Sequence, residues 1–115
     1  MTIIQQLVQY LRQNYHTSKT NPITATDLAI HFGISDGRVE VEMRNVIREA
    51  IAQNELIGSN NRGFYLIENL SELEENLDSL ESRAQNILQR RRNMMNSWNS
   101  KNPTNTTSRT DLNVL

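Results

Sequence analysis

The sequence predicts a mainly α fold with a small β-hairpin, extended by a long C-terminal helix. Three patterns carry that prediction. Apolar residues recur at helical spacing in three segments before residue 53. Leu56-Ile57 and Phe64 to Ile67 then flank a polar, glycine-bounded loop. From Leu70 onward, apolar residues return every three or four positions for nearly four heptads. The chain divides accordingly into a small domain over 1–69, an amphipathic helix over 70–98 and a tail over 99–115.

Composition narrows the chemistry. The chain has 115 residues, 12 Lys plus Arg, 13 Asp plus Glu and 37% hydrophobic residues. That suffices for one small domain and an extension, not for a two-lobed enzyme. There is no cysteine, hence no disulfide framework, thiolate nucleophile or thiolate-bound zinc. His16 and His31 are expected in different helices, and no paired carboxylate or phosphate loop accompanies either, so the expectation is a non-enzyme with no cofactor and no metal. His31, beside Phe32, reads as a partly buried helix residue. No run approaches 18 apolar residues, and MTIIQQLVQYLRQ lacks a basic lead into an apolar stretch. A cytoplasmic chain without a membrane partner is the expectation. A net charge of -1 gives no polybasic argument for nucleic acid.

The elements follow in order. Ile3, Ile4, Leu7, Val8 and Leu11 give a first helix near 3–14, with Tyr10 or Tyr15 closing its packing. Ser18 to Pro22 is a loop. Thr24 starts a short second helix, with Asp27 in the position of a capping-box acid and Leu28, Ala29 and Phe32 inward. Gly33 ends it in a left-handed turn that costs glycine little. Ser35 or Asp36 can cap a third helix toward Gln53, with Val39, Met43, Val46, Ile47, Ala50 and Ile51 as its apolar stripe. Arg38, Val41, Arg44, Asn45 and Arg48 occupy the opposite face. Gly37 weakens the first turn by roughly 0.5–1 kcal/mol relative to alanine; close backbone approach or tolerance near a helix end explains it equally. The hairpin has a six-residue loop, 58–63, with Asn60, Asn61 and Arg62 at its tip. Phe64 and Leu66 share one face, Tyr65 and Ile67 the other.

Helix, helix, turn, helix, hairpin is the order of a winged helix. Ala29, Gly33 and Val39 resemble the helix-turn-helix pattern of bacterial and phage regulators: a small residue four before the turn glycine and an aliphatic six after it. The run from Arg44 to Arg48 through Leu56-Ile57 to Arg62-Gly63-Phe64-Tyr65-Leu66 is similar to the winged domains of small phage and prophage proteins. The resemblance covers about residues 24–95 and implies binding of double-stranded DNA. It would place Ser35, Asp36, Arg38, Val41 and Arg44 at the major groove, Arg38 on a guanine edge and Val41 on a thymine methyl. Arg44 and Arg48 would reach phosphate, and Asn61 and Arg62 a backbone or adjacent minor groove. Thr24 and Thr26 would hold phosphate at the start of the second helix. Asp36, Glu40 and Glu42 depart from the pattern, since acids beside DNA repel unless they face away, pair or accept from cytosine. An i,i+4 pair of Glu40 with Arg44 would be worth about 0.2–0.5 kcal/mol.

Leu70, Leu73, Leu77, Leu80, Ala84, Ile87, Arg91, Met94 and Trp98 alternate in steps of three and four, with Leu88 widening the seam. Ser71 and Glu74 have capping-box spacing. Such a rod leaves its leucines wet unless an identical subunit, the first helix or another protein covers them. Residues 68–81 carry six acids and no base, whereas 83–92 carry four arginines and no acid. Antiparallel pairing lays acid over base, which predicts an antiparallel homodimer. The Arg90 to Arg92 run reads as a solvated cap. Asn, Ser and Thr make 10 of the last 17 residues, which predicts a disordered tail.

Two functions follow. One is a dimeric, sequence-specific DNA-binding protein, a regulator of phage or mobile-element genes. The other is a small phage protein that inhibits a host or foreign nucleic-acid enzyme by placing the acidic 68–81 surface in its basic cleft.

Overall fold

A computed structural model describes residues 1–34 and 39–112. The elements are α1 (Ile3–Gln13), α2 (Ala25–His31), α3 (Val39–Ala52), β1 (Ile57–Asn60), β2 (Gly63–Leu66) and α4 (Leu70–Lys101). The fold is mainly α with a small antiparallel hairpin and a long C-terminal helix, the arrangement of a winged helix-turn-helix with an extension. Two compact units divide the chain after Asn76, within α4.

The first unit is built on caps and a shared core. Thr2 and Gln5 form a reciprocal capping box on α1, and the Thr24 hydroxyl caps α2 by accepting from Asp27 N–H at 3.1 Å. All three helices of the domain end with the same paired turn. His16, Ile34 and Glu55 N–H donate back to Leu11, Ala29 and Ala50 carbonyls, at 2.8, 3.0 and 3.0 Å. The residue inside each turn is left-handed: Tyr15 (φ 62°), Gly33 (φ 72°) and Asn54 (φ 72°). The left-handed turn at Gly33 is therefore as expected. Those at Tyr15 and Asn54 carry no glycine signal.

Leu7 and Leu11, Leu28 and Ala29, and Met43, Ile47 and Ala50 meet Ile57 and Leu66 in one buried cluster. The complete burial of Ala29 lets α2 approach its neighbour closely. Two stripe residues, Ile3 and Ile51, are exposed, as is Leu56 before the hairpin, and of the two tyrosines Tyr10 packs against the core while Tyr15 is exposed. Phe32 is half-buried against the core.

The hairpin is tighter than predicted. Ile57 pairs with Leu66 and Asn60 with Gly63, so a two-residue turn, Asn61-Arg62, replaces the expected six-residue loop. Asn60 belongs to β1. Ile23 adds a bridged residue outside β2: its carbonyl accepts from Phe64 N–H at 2.8 Å, and its N–H donates to Phe64 O at 2.9 Å. At Gly63 (φ 143°) a Cβ would run into the Ile23 carbonyl, so this crossing requires glycine.

α4 is capped two residues earlier than expected. Asn69, not Ser71, is its cap: Asn69 Oδ1 accepts from Glu72 N–H at 2.8 Å, and Asn69 Nδ2 donates to the Glu72 carboxylate at 3.1 Å. The helix continues to Lys101, three residues past the predicted end, and spans about 48 Å at 1.5 Å per residue. In the second unit residues 102–112 of the segment expected to be disordered fold back along α4. Trp98 Nε1 donates to Asn105 O at 2.9 Å, Thr107 N–H to Asn99 Oδ1 at 2.9 Å, and Arg91 Nη1 to Thr110 O at 2.8 Å. Arg92 Nε lies 3.2 Å from Asp111 Oδ2, an ion pair without an aligned hydrogen bond.

Candidate nucleic-acid interface

The outer face of α3 follows from helical arithmetic. With Met43, Ile47 and Ala50 fixed in the core, the residues on the opposite side of the helix turn outward. Val41, Arg44, Asn45 and Arg48 are all exposed there. Arg48 Nη1 donates to Asn45 Oδ1 at 2.9 Å, one turn back. The Arg44 guanidinium carbon lies 5.5 Å from the centre of the Phe64 ring, within cation–π range. Phe64 is half-buried in β2, so Arg44 spans from α3 to the hairpin.

The predicted residues divide into three groups. Arg44, Arg48 and Val41 share the open face of α3, and exposed Asn61 and Arg62 form the hairpin turn. Arg62 N–H donates to Asn60 Oδ1 at 2.8 Å, which braces that turn. Ser35, Asp36, Gly37 and Arg38 lie outside the described residues. Thr24 and Thr26 are occupied within the domain, Thr24 as the α2 cap and Thr26 by donating to Glu40 Oε1 at 3.0 Å. That bond corrects the expected Glu40–Arg44 pair: Glu40 reaches across to α2 instead, and Arg44 turns to Phe64.

A polar clasp at the start of α4 was missed. Glu72 is only 4% exposed, and its carboxylate accepts from Lys19 N–H at 2.8 Å, Ser18 Oγ at 3.4 Å and Asn69 Nδ2. A buried carboxylate needs such donors to replace water. Asn76 completes the clasp: its Oδ1 accepts from Ser59 N–H at 2.9 Å, and its Nδ2 donates to the Tyr65 hydroxyl at 2.9 Å. Asn60 Nδ2 donates to Lys19 O at 3.0 Å, and Lys19 Nζ pairs with Glu75 at 2.7 Å. That hydrogen bond and the charge of Glu75 raise the Lys19 pKa above its ordinary 10.5. A sequence signal existed. Asn69 and Glu72 have the same spacing as Ser71 and Glu74, and only Glu72 gains tertiary donors.

His31 corrects another expectation. It is exposed rather than partly buried, and its ring stacks on Tyr10 at 3.8 Å between centroids. His16 Nδ1 sits 2.8 Å from Asn21 O, inside the α1–α2 loop. Among the described residues, no three His, Cys, Asp or Glu side chains are grouped to hold a metal ion, and no helix is long and apolar enough to cross a membrane.

The predicted α4 seam is largely open. Leu70, Leu77, Leu80, Ile87, Met94 and Trp98 are each about half exposed or more, at 49–67%. Leu73, Ala84, Leu88 and Arg91 are half-buried. No family model matches the chain, and neither a curated protein nor a solved structure shows significant similarity to it.

Proposed function

We propose that the protein is a dimeric, sequence-specific binder of double-stranded DNA, a regulator of phage or mobile-element genes acting in the cytoplasm. The observation that carries the reading is the exposed face of α3, where Arg44 and Arg48 turn outward and Arg44 reaches Phe64 of the hairpin whose turn bears Arg62. A helix of this kind enters the major groove while a wing approaches the backbone. Arg38 and Val41 supply base contacts, and Arg48 and Arg62 phosphate contacts. Antiparallel pairing along α4 sets the acids of 68–81 over the arginines of 83–92 in a second copy. The bound site then has approximate two-fold symmetry.

Selection from a randomised duplex pool across a salt series, with the mass of the complex measured, tests this reading. A two-fold symmetric motif bound by a dimer, with affinity falling steeply in salt, is the expected result. R38A should weaken specific binding more than non-specific binding. No enrichment would favour the second reading, a protein that occupies the basic cleft of a host or foreign nucleic-acid enzyme. That reading is supported by the exposed acids Glu68, Glu74, Asp78 and Glu81, and by Glu40 on the domain surface.

A further inference from the structure

By its place on α3, Arg44 is expected to reach a phosphate. Its surroundings suit a different task. Its guanidinium carbon lies over the Phe64 ring, 5.5 Å from its centre, and the ring belongs to an anchored platform. Phe64 is bonded through both backbone groups to Ile23, pairs with Ser59 in the hairpin and packs its side chain against the core. Buried Met43 and Ile47 hold the other end of the contact, fixing the α3 backbone on both sides of Arg44.

Arginine has a long, rotamer-rich side chain, and part of that freedom is lost when its fork is fixed in a planar contact. A phosphate tolerates a mobile cation, because its charge is felt from many directions. A guanine edge does not: two acceptors must meet two donors in one plane. A cation–π contact with an anchored ring restricts where the guanidinium can sit before the ligand arrives, lowering the ordering cost of that contact.

We propose that Arg44 reads a base edge, and that Phe64 is the positioning residue that aims it. This rests on the DNA reading above and changes the role of one residue within it. Phe64 couples the hairpin to the reading helix, so the wing contributes selectivity without touching a base.

The test compares the full-length wild-type chain with F64L, F64Y and R44A. The probes are the duplex best enriched from a randomised pool and a random-sequence duplex of equal length. F64L keeps an apolar side chain and removes the ring; F64Y restores the ring. For F64L, affinity for the enriched duplex should fall about 3- to 20-fold, with random-duplex affinity and salt slope unchanged. F64Y should bind like wild type. Repeating the selection with F64L and R44A should degrade the motif at the same base pair. Relaxation of the Arg44 Nε in the free protein should show greater motion in F64L and not in F64Y, which a merely structural role for Phe64 would not produce. F64L retaining full discrimination, or losing both affinities equally, would overturn the positioning role while the DNA reading stands. A wild-type chain that enriches no duplex would overturn the DNA reading and the base contact together, even with Arg44 held by Phe64.

Discussion

The stripe of α1 and the seam of α4 are written in the same pattern and end in opposite environments. Leu7 and Leu11 are completely buried, whereas Leu77 and Leu80 remain more than half exposed. Both helices repeat apolar residues every three or four positions. α1 finds α2, α3 and the hairpin within the same small domain, all contributing to one cluster. Leu77 and Leu80 of α4, beyond the clasp, find no equivalent cover among the described residues. Periodicity therefore states that a face is apolar, and the topology decides what covers it.

Truncation of one leucine in each region gives the largest contrast. Leu7→Ala removes a fully buried side chain of α1 from the domain core and should lower the unfolding free energy by about 2–5 kcal/mol. Leu80→Ala, at a site 56% exposed, should change the stability of the dilute chain by roughly 0.5 kcal/mol or less. Urea titrations at low protein concentration measure both. At high concentration the Leu80 variant should associate less strongly than wild type, a difference that the core variant lacks per folded molecule. Equal losses in dilute solution would mean that the α4 seam is covered within the single chain.

The folded-back tail sharpens the same comparison from the other side. Thr110 and Asp111 engage Arg91 and Arg92, the arginines that antiparallel pairing assigns to the acids of a second copy. A chain ended after Lys101 should release them and self-associate about two- to five-fold more tightly, the scale of one exposed ion pair. Sedimentation equilibrium reads the change. Weaker association on truncation would place the tail within the interface rather than in competition with it.

What was legible follows the range of each interaction. The helices, the Gly33 turn and the outward set on α3 are local or periodic, and a single pass along the chain reaches them. The hairpin length was not. Its strand residues include Gly58, Ser59 and Asn60, which have poor strand character and are held by partners at 63–65 and by Asn76. The cap of α4 shows the same limit: two equivalent spacings stood side by side, and contacts with Ser18 and Lys19, more than fifty residues away, accompany the one adopted. At the candidate interface, the arginines could be placed on a face from sequence. The partners of Arg44 and Glu40 could not, because Phe64 and Thr26 approach them only through tertiary folding.

The smallest expected effect lies at the clasp, on the boundary between the two environments. Lys19 is exposed, yet the hydrogen bond and charge of Glu75 raise its pKa above 10.5. A raised lysine pKa means that the folded chain holds the proton more tightly than the unfolded one. Its contribution is therefore complete below pH 10.5 and declines as pH rises through the higher folded value. Lys19→Met should remove that decline without altering the bond from its backbone N–H to Glu72, which the substitution retains. Thermal melts of both chains between about pH 9 and 12 should show their stabilities converging at the alkaline end, and more closely in high salt, which screens an exposed pair. Parallel curves would show that the clasp depends on the buried carboxylate and its backbone donor, with the Lys19 charge an idle passenger.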